Sequence, residues 1–471
     1  MNIYIIVIIS IFFLLSCSKK EDYESVDAVA ATSIYDESEE YPGGNNNTTF
    51  DFSPNAFGHV SPAITGLQEL NFFVGNSFFN QNWVSAPAST TARDGLGPTF
   101  NARSCSACHF KDGRGRPPAF NGENSTGFLM RLSIAGADPN GAPNPHPAYG
   151  GQLNPQANVG IPAEGEVYIS QTITNYTFLD GEAYSLQTPI YSFVNLNFGS
   201  LSGVLTSPRV GQHMIGLGLL GSIGEVDILA NADEQDINND GVSGKPNYVY
   251  DVIAGTNKLG RFGWKAGQPN LRQQSADAFL GDIGITSSFF PVENCTSPQN
   301  DCLTAVSGGI PELTDTSLSH IELYVSNLAV PARRNIDSFN VKQGKKIFNS
   351  SGCVACHKAN YTTGINLKFS NLSNQKIWPY TDLLLHDMGV GLADNRPEFL
   401  ANGQEWRTPP LWGLGLIETV NGHTFYLHDG RARNLTEAIM WHGGEAENSK
   451  DNFSNLSQIE RGQLLEFVKS L

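Results

Sequence analysis

The chain has 471 residues, and its 46 Asp and Glu against 29 Lys and Arg give a formal net charge of −17. Such an acidic chain would repel the phosphates of nucleic acid, so nucleic-acid binding is excluded as a main function. A small, basic redox protein is a compatible partner, as electron donor or acceptor. The 48 glycines and 25 prolines predict many turns and long loops.

The first residues predict export. Residues 3–15 are an apolar run of signal-peptide length, too short to span a bilayer comfortably. The run ends in Leu-Leu-Ser-Cys17, which resembles the lipobox of bacterial lipoproteins, although no Lys or Arg precedes it. We therefore expect residues 1–16 to be a lipoprotein signal peptide and Cys17 to carry the lipid. The alternative is a signal peptide that is cleaved elsewhere.

Both alternatives place the protein in the periplasm or at the cell surface. A lipid would be its only membrane anchor, and Ser18 after the lipidated cysteine favours the outer membrane. Residues 17–55 are polar and rich in Ser, Glu, Asp, Gly and Asn, which predicts a flexible tether.

Two pentapeptides carry the main chemical signal: Cys105-Ser-Ala-Cys108-His109 and Cys353-Val-Ala-Cys356-His357. Cys-x-x-Cys-His is the attachment site of a c-type haem, in which both thiols bind the porphyrin and the histidine ligates the iron. The alternatives are zinc, which needs four ligands in a closed site, and a short-loop disulfide. Neither explains a histidine after the second cysteine in both copies, so we predict two covalently bound haems c.

The other two cysteines bracket a short polar loop. Cys295 and Cys302 are separated by Thr-Ser-Pro-Gln-Asn-Asp, and a disulfide between them is expected in an oxidising compartment.

The chain divides around the two motifs. We predict an N-terminal haem domain over residues 56–335, with a β-rich insertion at about 165–206, and a C-terminal haem domain over residues 336–471. The predicted fold class is mainly α with long loops, built from two cytochrome c-like haem modules. Residues 457–471 carry apolar positions at helical spacing, which predicts a C-terminal amphipathic helix.

One sequence is repeated, with slight variation, after each motif. Ile215-Gly-Leu-Gly-Leu-Leu follows Arg209, and Trp412-Gly-Leu-Gly-Leu-Ile follows Arg407. The repeat predicts two related halves, each with one haem, and its glycines predict close backbone packing.

A second type of site is a candidate calcium loop. Asp236, Asn238 and Asp240 alternate, and Gly241 stands at the sixth position, as in calcium-binding loops. The twelfth position holds Asn247 instead of a bidentate glutamate, and the alternative is an ordinary Asp/Asn/Gly turn.

Several stretches together resemble the bacterial di-haem oxidoreductases, also called thiol oxidoreductases, which are distantly similar to di-haem cytochrome c peroxidases. The resemblance covers about residues 60–471. The stretches that carry it are Asp94-Gly-Leu-Gly-Pro-Thr-Phe, Gly260-Arg-Phe-Gly-Trp-Lys-Ala, Ala329-Val-Pro-Ala-Arg-Arg, Pro379-Tyr-Thr-Asp-Leu-Leu-Leu-His-Asp-Met-Gly, Glu405-Trp-Arg-Thr-Pro-Pro-Leu-Trp and Leu427-His-Asp-Gly-Arg-Ala-Arg.

The comparison with the peroxidases implies three further site residues. His442 stands where they carry the distal ligand of the C-terminal haem, with Met440 and Met388 as competitors. Trp264 falls in the sequence pattern that, in the peroxidases, places a tryptophan between the haems. The resemblance therefore implies that Trp264 is an electron relay; the alternative is a buried packing aromatic. Asp282 is the nearest match to the acidic residue that assists peroxide cleavage at the N-terminal haem, although it is a shorter acid and its offset from Trp264 differs slightly.

The function that this resemblance implies is an exported, peroxidase-like oxidoreductase with hydrogen peroxide as a candidate substrate. Electrons would pass from the C-terminal haem to a reactive N-terminal haem. A non-catalytic, di-haem electron-transfer lipoprotein is the alternative. The distal side of the first haem separates the two, and His146, His213 and Met214 are its candidate ligands.

Overall fold

The computed structural model describes residues 36–471; residues 1–35, with the predicted signal peptide, Cys17 and the first part of the predicted tether, lie outside the described residues. The described helices are α1 (Leu67–Asn80), α2 (Cys105–Cys108), α3 (Leu217–Gly221), α4 (Glu225–Leu229), α5 (Leu271–Ala278), α6 (Asn300–Leu303), α7 (Asp315–Ser326), α8 (Phe339–Ser350), α9 (Ile417–Asn421), α10 (Leu435–Met440), α11 (Glu447–Asn455) and α12 (Gln458–Ser470).

The described strands are β1 (Thr48–Thr49), β2 (Thr99–Phe100), β3 (Phe128–Ser133), β4 (Gln152–Leu153), β5 (Gln156–Ala157), β6 (Glu166–Thr177), β7 (Ala183–Val194), β8 (Leu205–Val210), β9 (Tyr248–Asp251), β10 (Thr256–Leu259), β11 (Val330–Pro331), β12 (Tyr361–Thr362), β13 (Lys376–Ile377), β14 (Leu385–Asp387) and β15 (Glu405–Arg407). Helix makes up 28% and strand 19% of the structure. The prediction of a mainly α fold with two cytochrome c-like modules is therefore wrong.

The physical reason is that loop segments pair into small sheets along the whole chain. The strands between 165 and 206 are present as the antiparallel hairpin β6–β7, paired from Glu166 with Val194 to Thr177 with Ala183. However, β3 also forms a three-stranded sheet with β4 and β8, and other short strands pair two by two. Sequence periodicity does not reveal strands of two or three residues.

Two pairs of helices, α1 with α7 and α8 with α12, pack closely, and in each pair the helices cross at a glycine. A Cβ on Gly75 of α1 would lie 2.1 Å from the carbonyl oxygen of His320 in α7. A Cβ on Gly344 of α8 would lie 2.0 Å from the carbonyl oxygen of Gln463 in α12. Only glycine allows backbones this close. The predicted C-terminal helix α12 begins after Ser457, whose side chain caps it.

The repeated sequences pack on each other. A Cβ on Gly216 would lie 2.3 Å from the ring of Trp412, and a Cβ on Gly413 would lie 2.5 Å from the side chain of Ile215. The contact is therefore reciprocal. The predicted close packing of these glycines is present, and it joins the two halves inside one compact unit of residues 37–471.

The predicted tether ends earlier than residue 55. Glu39 is fully buried and forms ion pairs with Arg333 and Lys345. Strand β1 pairs in parallel with β11. Residues 37–55 therefore belong to the folded body, because distant cations compensate the burial of an acidic segment. Among residues 36–471, we find no helix with the length and apolar character needed to cross a membrane.

Candidate functional site

One cavity of about 810 Å³ is lined by both Cys-x-x-Cys-His motifs. The first motif forms α2, and its histidine follows directly. The second motif lies in a short 3-10 turn after α8. The chain thus brings two motifs that are far apart in sequence to the walls of the same cavity.

Both motif histidines are held in the same way. His109 Nδ1 lies 2.6 Å from the carbonyl oxygen of Gln212, and His357 Nδ1 lies 3.0 Å from the carbonyl oxygen of Tyr380. A carbonyl can only accept, so Nδ1 carries the proton and the lone pair of Nε2 is available to a metal. Burial lowers the pKa of both histidines, to about 4 for His357, and keeps the rings neutral.

An aromatic ring supports each of these imidazoles. The ring centroid of Phe79 lies 6.3 Å from that of His109, and Phe348 lies 6.1 Å from His357. Both phenylalanines stand four residues after the glycine of a helix crossing. The two crossings therefore place equivalent side chains beside the two motifs.

The cysteines fit covalent haem attachment. Cys105, Cys108, Cys353 and Cys356 form no disulfide, whereas Cys295 and Cys302 are joined by one. Burial raises the pKa of the Cys105 and Cys353 thiols to about 12, so both stay protonated. A cavity whose lining includes two thiols and one imidazole with an available Nε2 from each motif fits the donors that two haems c require.

His442 also presents an imidazole to the cavity. Its Nδ1 lies 2.8 Å from the carbonyl oxygen of Ala438, which leaves Nε2 free, and burial lowers its pKa. Of its competitors, Met440 is buried in the main core and does not line the cavity, whereas Met388 does line it and packs against Trp264 and Trp406. The geometry therefore favours His442 as second ligand of the haem at His357.

Asp282 lies on the cavity wall near the first motif. It belongs to a π-helical turn, Phe279–Ile283, a conformation that often occurs at functional sites. Gln152 Nε2 donates to its Oδ1 over 2.8 Å. The negative charge of Asp282 also contributes to the raised pKa of Cys105. The Asp282 carboxylate is thus held in one orientation by Gln152 on the wall of the cavity that the first motif also lines.

Trp264 lies in the cavity wall and is 7% exposed. Its Nε1 donates to the carbonyl oxygen of Val210 over 2.8 Å, and both pack against Trp406. The guanidinium of Arg114 lies 5.2 Å from its ring centroid. Sequence analysis missed the neighbouring pair Trp406 and His428, whose rings stack 3.8 Å apart.

The candidate second ligands of the first haem are not equivalent. His146 hydrogen-bonds within its own turn, to Ala148 and Gly150, and does not line the cavity. His213 and Met214 do line it. Both ring nitrogens of His213 are buried without a hydrogen-bond partner. Of the two histidines, His213 alone lines the cavity and has both ring nitrogens without a hydrogen-bond partner among the described residues.

The candidate calcium loop binds its own backbone. Asp236 accepts from the amide of Gly241, Asn238 from Asp240, and Asp240 from Val242. Within residues 36–471, no three His, Cys, Asp or Glu side chains are grouped to hold a metal ion. The arrangement is that of an Asp/Asn/Gly turn, and calcium binding stays a prediction.

One residue beside the second motif was not recognised from the sequence. His386 is 2% exposed, lines the cavity and lies 3.5 Å from Cys356 Sγ. It belongs to the stretch from Pro379 to Gly389, which supported the family resemblance without indicating a role for this histidine. Asp382 stands four residues earlier, a spacing that would leave the two side chains about 13 Å apart in an extended strand. The pair instead forms across an irregular segment that contains Leu383 with a positive φ, so no local pattern signalled it.

These observations define a protein with two haem-binding centres in one cavity. Residues 37–471 match the family model described as "Di-haem oxidoreductase, putative peroxidase". The chain belongs to this di-haem oxidoreductase family, as the resemblance implied. No curated protein is significantly similar to the chain.

Proposed function

We propose that this protein is an exported, lipid-anchored, c-type di-haem oxidoreductase of peroxidase type. Electrons would enter at the second haem, held by Cys353 and Cys356, and pass to a reactive first haem, held by Cys105 and Cys108. The observation that carries the proposal is the matched presentation of His109 and His357, each fixed through Nδ1, on the walls of one cavity.

The asymmetry of the cavity supports the direction of electron flow. His442 is oriented to complete the coordination of the second iron, which suits electron transfer. The first centre has an oriented carboxylate, Asp282, instead. When bound, the first haem would supply the iron at which a peroxide bond is reduced.

The reduction of hydrogen peroxide to two waters consumes two electrons and two protons. Asp282 Oδ2 would move a proton between the two peroxide oxygens, while Gln152 holds Oδ1. Trp264, in the wall of the shared cavity, would carry the electrons. The electron donor would be a small redox protein, for which the net charge of −17 favours a basic surface.

One observation favours the alternative, a non-catalytic electron carrier. His213 is buried, and both of its ring nitrogens lack a hydrogen-bond partner. If it ligated the first iron, both haems would be six-coordinate and peroxide would have no access.

The test uses protein produced with a cytochrome maturation system. We expect two covalent haems per chain by pyridine haemochrome assay, and one each in Cys105→Ala/Cys108→Ala and Cys353→Ala/Cys356→Ala. The control Cys295→Ala/Cys302→Ala should keep both. Colourless protein would refute the proposal outright.

Low-temperature EPR then separates enzyme from carrier. The enzyme should show a high-spin component that changes when hydrogen peroxide is added and that is absent from Cys105→Ala/Cys108→Ala. Two purely low-spin haems, with the first becoming high-spin in His213→Ala, would establish the carrier instead.

A further inference from the structure

His386 is enclosed by two carboxylates. Its Nε2 lies 2.8 Å from Asp382 Oδ2 and its Nδ1 lies 2.7 Å from Glu445 Oε2. A carboxylate accepts hydrogen bonds, so both ring nitrogens must donate and the ring is an imidazolium. Burial alone would lower the pKa of His386, but Asp382 and the hydrogen bonds raise it well above its usual value.

The two carboxylates are themselves fixed. Glu445 Oε1 accepts from the hydroxyl of Ser243 over 2.6 Å and from the amide of Asp387 over 3.1 Å. Asp382 Oδ1 accepts from the amide of Leu384 over 3.0 Å. Burial raises the pKa of Glu445, but His386 and Ser243 outweigh this and lower it to about 2. Glu445 is therefore charged, and Asp382 is the largest of the charges and hydrogen bonds that raise the pKa of His386.

This cluster touches the second haem-attachment motif. His386 Nδ1 lies 3.5 Å from Cys356 Sγ, the atom that becomes a thioether sulfur when haem is attached. The amide of Asp382 donates to the carbonyl oxygen of Cys356 over 3.0 Å. With one positive and two negative charges, the cluster is net negative beside Cys356, which would hold the porphyrin edge.

The remaining charges near the cluster are few. Arg407 is close enough for Asp382 to affect its pKa, and its guanidinium donates to the backbone at Gly263 and Thr408. His357 and Tyr361 are titratable rings whose pKa values the charges of this cluster affect. Since the side chain of His386 is 3% exposed, water screens its charge little.

We propose that the charges of the Asp382–His386–Glu445 cluster set the reduction potential of the second haem. The inference rests on the proposed function, because it requires a haem at Cys353 and Cys356. The negative charges of Asp382 and Glu445 would stabilise the ferric form of the second haem and so lower its reduction potential. The positive charge of His386 would limit that effect. Ser243 holds the cluster in place from the loop of residues 233–243.

The test is a potentiometric titration of the holoprotein. The wave of the second haem is identified as the one that Cys353→Ala/Cys356→Ala abolishes. His386→Gln removes a positive charge and should shift this potential to more negative values. Glu445→Gln removes a negative charge and should shift it to more positive values.

Opposite signs distinguish charge from disruption. Entry of water at a loosened haem edge would shift both variants in the same direction, so shifts of equal sign, or none, would overturn the inference. If His386→Gln does not fold, Glu445→Gln decides alone. The loss of its charge should raise the reduction potential of the second haem, whereas entry of water would lower that potential. The control is His59→Gln, an exposed histidine 2.6 Å from Asp51 that should change nothing.

The test also separates this inference from the proposed function. Absence of the second haem from the unmodified protein would refute the function. Two haems with unmoved potentials would refute only the role of the cluster.

Discussion

The two motif regions are alike where they hold an imidazole and different where they face the cavity. Each has a glycine helix crossing, a phenylalanine beside the motif histidine and a backbone carbonyl on its Nδ1. Near the first motif the wall carries Asp282, and near the second it carries His442. The comparison teaches that the duplicated framework positions the motif histidines, while a few wall side chains make one centre differ from the other.

The largest expected effect tests the shared framework. Gly75→Ala and Gly344→Ala each add a Cβ within 2.1 Å of a carbonyl oxygen on the facing helix, so the helices must separate. We expect each variant to lower the free energy of unfolding by about 3 kcal/mol or to prevent folding. Chemical denaturation followed by circular dichroism measures this.

Gly462→Ala is the matched control for these two variants. Gly462 lies within α12, on which Gly344 packs, but has no atom within 4 Å of the added Cβ. It should stabilise the protein by roughly 0.5–1 kcal/mol, because alanine favours helix. If all three variants behaved alike, the crossings would not be the shared framework.

The next effect tests what distinguishes the centres. His442→Ala removes the imidazole whose Nε2 faces the cavity, so the second haem should change from low-spin to high-spin in EPR, with the first unchanged. Met440→Leu is the control, because Met440 is buried in the core away from the cavity. An unchanged second haem in His442→Ala would remove the proposed asymmetry.

The sequence was sufficient for the parts that local patterns encode. The motifs, the repeated Gly-Leu-Gly segments and the capped helix after Ser457 are all where their patterns place them. His442 and Trp264, implied by resemblance, both line the cavity, whereas His146 does not.

The rest depends on contacts between distant segments. Strand β1 exists because Thr48 and Thr49 pair with Val330 and Pro331. Glu39 is held by Arg333 and Lys345, which are about three hundred residues away in the sequence. The local composition around Glu39 is polar and acidic, and on its own it therefore predicted a tether. Likewise, no local pattern shows that the carbonyls of Gln212 and Tyr380 hold the motif histidines.

The smallest effect concerns a polar contact at the first crossing that the second crossing lacks. Tyr324 donates to Asp112 Oδ1 over 2.6 Å, whereas Phe467, at the equivalent place on α12, has no hydroxyl. Burial raises the pKa of Asp112 from 3.8 to about 7, although the Tyr324 hydrogen bond lowers it. The folded state therefore retains this proton when the unfolded state has already lost it.

Asp112 should consequently make the protein less stable as pH rises from about 4 to about 7, by up to a few kcal/mol. Asp112→Asn keeps the acceptor oxygen and removes the titration, so its free energy of unfolding relative to the unmodified protein should rise across this range and level off above it. Tyr324→Phe removes the hydrogen bond that lowers the pKa of Asp112, so it should extend the range to higher pH. Denaturant unfolding at pH 5, 6, 7 and 8 measures both variants. A constant difference between Asp112→Asn and the unmodified protein would mean that Asp112 titrates alike in both states, and the polar contact would then not distinguish the two crossings.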